Sequence, residues 1–274
     1  GARPWASVDL RISQRLTPAI ARFVNAHLYR SPVIVGGNTR RPNVAPRYVA
    51  ASGYKETVES IRDEVVRGIK RYGPEGVFVL VPSVKGLGDR STPLATFVRD
   101  HAAGLSLYVS NRDDDARTDQ REFIGKTAII TFCSSKGRER PKVCLVGFDE
   151  SYFAYYDKAW GHPTDLPNVL TVAATRASAE LVVIASGRQT LRSVDLAALG
   201  ATAEVVGRPE PYRAAAPLMP GGHKSAGPSS IDVVGLVQHH HRSIVGEALA
   251  LVGVAETEFE GKLSRPVSSG GAPW

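Results

Sequence analysis

Thiols and long apolar runs are both scarce in this chain. Its two cysteines, Cys133 and Cys144, stand eleven positions apart with no further thiol beside them. That spacing offers neither a disulfide framework nor a CxxC metal motif, and it fits a reducing, intracellular compartment, cytoplasmic or nuclear. No apolar stretch reaches the ~18 residues that a spanning helix requires, so no membrane segment is predicted. The start, GARPWASVDLRISQRL, lacks the apolar core of a signal peptide, so secretion is not expected. Without an initiating Met, the chain reads as a piece of a longer protein. No G-x-G-x-x-G loop follows a first strand, which argues against a Rossmann-type nucleotide-sugar or nucleoside enzyme. There is no internal repeat.

What is present suits a globular core. Of 274 residues, 43% are hydrophobic and 22% charged, the balance of an ordinary folded domain. The net charge of +7, from 34 basic and 27 acidic residues, leans toward a polyanionic partner such as nucleic acid.

Residues 13–30, SQRLTPAIARFVNAHLYR, read as a helix with Thr17 as N-cap and Pro18 in its first turn. The Gly- and Pro-rich stretch that follows reads as loop with one or two short strands. A second helix is predicted over Thr57 to Tyr72 and a third over Pro93 to Ala103; a fourth precedes ELVVIAS, around Leu166 to Ala177. GVFVLVPS, LSLYVS, TAIITF, PKVCLVGF and ELVVIAS read as strands, the first an unbroken apolar run of the kind buried on both faces. Strands alternating with helices predict an α/β fold with a mainly parallel sheet and flanking helices. After Arg188 the periodicity weakens. The expected organisation is a core domain over residues 1–188, a linker over 189–228, a small helical segment over 229–256 and a disordered tail over 257–274.

TFCSSKGRERPKVCLVGFDE, at Thr131 to Glu150, is the most unusual stretch. A hairpin needs about two to five turn residues, yet here hydroxyls, a lysine-glycine pair and alternating charges lie between two strands. Hydroxyls and amides at the carboxyl end of a strand suit phosphates, and the carboxyl ends are where open α/β sheets bind ligands. One strand-helix unit later, NVLTVAATRASAELVVIAS sets Thr175 and Arg176 at a helix end before a strand. Clusters that look like metal sites have blander readings. Asp113 to Asp115 fit a solvated loop, and His239 to His241 cannot all face one ion on a helix.

SSKGRE followed by ATRA resembles motifs V and VI of superfamily 1 helicases of the UvrD/Rep/PcrA type, and RISQRLTPAIARFVNAHLYR is similar to their motif IV. The resemblance spans Leu10 to about Arg188. It implies a RecA-like second motor domain of an ATP-dependent DNA helicase, with a small helical C-terminal appendage outside the match. It further implies that Arg15 and Arg176 reach the γ-phosphate of ATP, that Glu139 contacts the ribose, and that Gly137 lets the backbone approach the nucleotide. Thr131, Cys133, Ser134 and Lys136 would then face single-stranded DNA. ATP would come with Mg2+, held mainly by an N-terminal RecA-like domain carrying Walker A and B, the implied partner. This chain has no G-x-x-x-x-G-K-[ST]; GGHKS at Gly221 to Ser225 ends a loop with no strand before it. Other departures are Gln14 for the aromatic usually before the motif IV arginine, Cys133 for the usual histidine and Arg138 for an apolar residue. Only sixteen residues separate LSLYVS from TAIITF, where many relatives insert a 2B subdomain. Lys136 argues against the superfamily 1 branch that carries glutamine there. The alternative is a catalytically inactive RecA-like module that binds nucleic acid or protein.

Overall fold

Thr17 and Pro18 open the first helix for the local reason expected of them. In the computed structural model, which describes residues 11–85, 92–110, 120–155, 166, 168–186 and 189–213, the Thr17 hydroxyl accepts from the Ile20 amide at 3.4 Å. A short strand β1 (Ile12–Ser13) precedes helix α1 (Pro18–Val24), which buries Ile20, Ala21, Phe23 and Val24. One π-helical turn, Asn25–Tyr29, continues it and stops at Arg30, where φ is 53°. The expected helix over 13–30 is therefore an α-helix extended by a π turn.

The chain then alternates: β2 (Val35–Gly36), β3 (Arg47–Ala50), α2 (Tyr54–Tyr72), β4 (Val77–Val81), α3 (Pro93–Leu105), β5 (Leu107–Val109), β6 (Thr127–Thr131), β7 (Arg140–Val146), α4 (Ser151–Tyr155), α5 (Asn168–Ala174), β8 (Ala177–Ala185), α6 (Leu196–Thr202) and β9 (Glu204–Gly207). Seven strands form one sheet in the order β5-β6-β4-β7-β8-β3-β9, every neighbouring pair parallel. Residues of α1, α5 and α6 join one core on one face; α2 and α3 join the other. Strands covered on both sides must be apolar throughout, and β4 and β6 are buried at every position. The result is an α/β, RecA-like arrangement. Among the described residues no helix is long and apolar enough to cross a membrane.

The Gly- and Pro-rich stretch holds the two short strands β2 and β3, as expected, and the four residues of β3 lie inside the sheet, between β8 and β9. Residues 189–213, expected as linker, carry α6 and β9, and Leu191, Leu199 and Ala203 are buried there. A seven-residue helix and a four-residue edge strand are too short for their periodicity to register. The chain divides into units 1–214 and 215–274; the expected helical segment and tail lie outside the described residues.

The face beneath α2 holds a buried ionic network. Lys142 of β7, fully buried, sits 2.8 Å from Glu64 of α2 and 3.6 Å from Glu180 of β8. Arg47 and Arg67 also approach Glu64, at 3.2 and 3.1 Å. Arg71 and the Tyr72 hydroxyl close on Glu180. A Cβ added at Gly68 would come within 2.7 Å of Lys142 Cδ, so glycine at that point of α2 leaves room for the lysine stem.

His27, in the π turn, is buried with Nε2 2.7 Å from the Thr202 hydroxyl. Burial lowers its pKa to about 4, partly opposed by the Asp195 carboxylate. The folded state therefore disfavours the proton that the unfolded chain takes up near pH 6.5. This contribution to stability is whole above that pH and is lost progressively as pH falls toward 4, by roughly 2–3 kcal/mol. Urea unfolding of wild type and His27→Gln at pH 7 and pH 4.5 isolates it. The wild type should lose the larger share; equal losses would place the acid sensitivity elsewhere.

Candidate functional site

The unusual loop after β6 runs from one end of the sheet to the other. Thr131, the last residue of β6, lies beside Val81 at the end of β4, whereas Lys142 near the start of β7 lies beside Val77. With β4 seated between β6 and β7, residues 132–139 must cross over it, carboxyl end to amino end. The two halves of the loop therefore serve different places.

The first half is tied to itself. Thr131 and Ser134 are buried, their hydroxyls 2.9 Å apart, and the Ser134 amide donates to Thr131 Oγ1 at 3.1 Å. The Ser135 hydroxyl donates to the Phe132 carbonyl at 2.6 Å. These hydroxyls shape the turn, while Cys133 and Lys136 are the side chains it exposes. Cys144 is buried in β7, and burial pushes its thiol up to about 12. Gly137 has φ 76°, with nothing within 4 Å of an added Cβ. The left-handed backbone calls for glycine there, and close packing within this chain does not.

The second half ends at a cluster of charges. Glu139 precedes β7, Arg176 precedes β8, and Arg15 comes from the turn between β1 and α1. Arg15 Nε lies 3.9 Å from Glu139 Oε2. Arg176 is 8% exposed; its guanidinium donates to the Val172 carbonyl at 2.8 Å, the Thr175 hydroxyl at 3.2 Å and the Arg138 carbonyl at 3.4 Å. Burial, then the positive charge of Arg15, lowers the Arg176 pKa to about 10, with Glu139 opposing. Arg15 Nε is buried without a hydrogen-bond partner among the described residues. Arg15 thus pairs loosely with an exposed Glu139, while Arg176, buried nearby, feels the charges of both.

The cluster stands at the amino ends of β7 and β8, with Arg176 just before a strand as expected and the hydroxyl-bearing turn at the opposite, carboxyl end of β6. The sequence reading also missed what holds Arg15. Asn38 Nδ2 donates to the Arg15 carbonyl at 2.8 Å and to the Ser178 carbonyl of β8 at 3.3 Å. A Cβ on Gly36 would lie 2.4 Å from the Thr17 carbonyl oxygen, so β2 packs against this turn backbone to backbone. The only sequence signal was GGN at 36–38, which reads as ordinary loop.

Arg140 adds no exposed positive charge beside Lys136 and Arg138. It is buried, donates to the carbonyls of Lys126, Val77 and Pro74 at 2.7, 3.0 and 3.3 Å, and lies 4.3 Å over the Phe78 ring. Its burial lowers the pKa to about 10. Arg138, half-buried, stacks 4.6 Å over Phe123. Among the described residues no group of three His, Cys, Asp or Glu could hold a metal ion; Asp113 to Asp115 and His239 to His241 lie outside them.

Fold and site together define a RecA-like α/β domain with two arginines and a glutamate gathered at the amino edge of its parallel sheet. No protein-family model and no curated protein matches the chain. Among solved structures it is similar to the C-terminal domain of a possible DNA helicase from Lactobacillus plantarum WCFS1, at 15% identity and a TM-score of 0.47, over 70% of this chain and 97% of that one.

Proposed function

We propose that this chain is the C-terminal motor half of a UvrD-like, ATP-dependent DNA helicase, coupling ATP hydrolysis to single-strand translocation and duplex unwinding. The observation that carries this reading is the convergence of Arg15, Glu139 and Arg176 from three distant segments. Phosphoryl transfer spreads negative charge over the equatorial oxygens of the moving group, and cations fixed across a domain cleft stabilise it. Arg176, anchored by three hydrogen bonds, and Arg15, held by Asn38, are positioned to supply those cations. Glu139 is exposed enough to accept from a ribose hydroxyl. The phosphate-cradling loop and most of the Mg2+ ligands would come from a partner RecA-like domain carrying Walker A and B. Single-stranded DNA would pass over the exposed Cys133 and Lys136. A catalytically inactive binding module is the rival, but it has no use for two arginines around one carboxylate.

The 274-residue chain by itself is expected to turn over no ATP, with or without single-stranded DNA, since its sequence contains no phosphate-cradling motif. Steady, DNA-stimulated hydrolysis would end the half-motor reading. The chain should bind an oligothymidylate weakly and with strong salt dependence. Lys136→Ala should lower the log–log salt slope by about 0.7, the share of one phosphate contact on a single strand. Fluorescence anisotropy across a salt series measures it. An unchanged slope would mean that the strand runs elsewhere. Arg140 belongs in no such series, because its loss would strike the core.

A further inference from the structure

β8 and β3 lie side by side, but the chain leaves them in opposite directions. From β8 it runs through α6 to β9 on one side; from β3 it runs through α2 to β4 on the other, and α6 and α2 cover opposite faces. Where neighbouring parallel strands part in this way, a crevice opens beyond their carboxyl ends, and open α/β sheets use such switch points for ligands. A cavity of about 260 Å³ occupies this one, walled by Ala50, Ala51 and Ala185, with Arg208 and Glu210 exposed at its mouth.

Two buried hydroxyls in its lining have no hydrogen-bond partner among the described residues. Tyr48 is 0% and Thr190 2% exposed, and neither hydroxyl makes a hydrogen bond among the described residues. Folded proteins seldom leave such groups unpaired, and two at one crevice point to a missing polar ligand. Burial, then the nearby Asp149 carboxylate, raises the Tyr48 pKa, so the phenol remains a neutral donor. Asp149 itself accepts from the amides of Ser186 and Ser151 at 2.7 and 3.0 Å.

We infer that this crevice is a binding site for the hydrogen-bonding edge of a nucleobase. The volume falls below that of sites for drug-sized ligands and suits a base or a nucleoside. Arg208 and Glu210 cancel in charge, and the Asp149 carboxylate behind Tyr48 disfavours a phosphate. What remains is a neutral polar lining, the hydroxyls of Tyr48, Thr190, Ser52 and Ser186 and the Gln189 amide, whose oxygen also accepts from the Arg213 amide at 3.4 Å. Alanine walls admit a flat ring. The base could belong to a free nucleoside or to a strand lying across the carboxyl edge. The site does not rest on the arginine cluster, which stands at the opposite end of the sheet.

The test is saturation-transfer NMR and calorimetry on the full chain with adenosine, guanosine, cytidine, uridine and thymidine, then with a single-stranded 12-mer as competitor. At least one nucleoside should bind. Tyr48→Phe and Thr190→Val should each weaken it about three- to tenfold, the worth of one hydrogen bond. Unliganded Tyr48→Phe should melt at or above the wild-type Tm, because an unpaired buried hydroxyl has been removed. Opposite signs in binding and stability are not expected of a merely structural tyrosine. Displacement by the 12-mer would assign the base to a strand; no displacement would assign it to a free nucleoside. Lys136→Ala should leave nucleoside affinity unchanged, which separates this site from the strand contact proposed above. No nucleoside signal at millimolar concentration, or binding unaltered in both variants, would overturn the inference.

Discussion

Arg176→Ala is expected to lower kcat for ATP by ~10³-fold or more once the chain acts with the domain that supplies the phosphate-cradling loop, with much less change in ATP affinity. That scale follows from removing a cation that stabilises the transferring phosphoryl group. The arginine is costly to hold where it is. Its charge is buried and near Arg15, so its pKa is depressed, and an arriving polyanion would relieve both conditions. Since the guanidinium also ties the carbonyls of Val172 and Arg138, Arg176→Lys provides the control. It keeps the positive charge but loses the planar fork. A structural role alone would lower Tm in both variants and leave kcat near wild type in folded protein. A folded Arg176→Ala protein retaining half of wild-type kcat would refute the assignment.

Glu64→Gln should destabilise the fold by about 3–5 kcal/mol, the usual penalty for stripping one partner from a buried ion pair. Lys142 is fully buried, and its closer carboxylate is Glu64, with Glu180 0.8 Å farther away at 3.6 rather than 2.8 Å. Neutralising Glu64 also leaves Arg47 and Arg67 with a lost or weakened partner. Lys142→Met should cost clearly less, under about 2 kcal/mol, because Glu64 keeps both arginines and Glu180 keeps Arg71. Equilibrium denaturation of the two variants reads the asymmetry. Equal losses would show that the lysine, and not the glutamate, is the centre of the network.

The sheet was legible where its strands are long and buried on both faces. GVFVLVPS announces itself as an unbroken apolar run, TAIITF reads as a strand before a turn, and Thr17-Pro18 marks a helix start by local chemistry alone. β9 was not legible, because four residues carry no period, and β3 was legible only as a short strand, its place inside the sheet being set by partners far off in sequence. Arg140 shows the same limit at one side chain. Among the charges of RERPK it reads as solvated, yet carbonyls 14, 63 and 66 positions away enclose it. Lys142 and Glu64, 78 positions apart, could not be paired from the sequence either. The grouping of Arg15, Glu139 and Arg176 was expected only through a family resemblance. Its place at the amino edge became visible once the crossover after β6 could be traced against the register of β4 and β7.

The late pairing of β3 also governs how this sheet can be assembled. Residues 47–50 leave the ribosome long before either neighbour exists, since their partners are residues 182–185 and 204–207. Sequence separations of that size make folding slow, because distant ends must meet before any contact rewards them. Until then Tyr48 and Val49 wait as an apolar segment with open backbone groups. A polypeptide ending at residue 188 would still join β3 to β8, but it would lack β9 and leave the far edge of β3 bare. An unprotected parallel edge recruits strands from other molecules, so such a truncation should aggregate where a chain reaching residue 213 stays monodisperse.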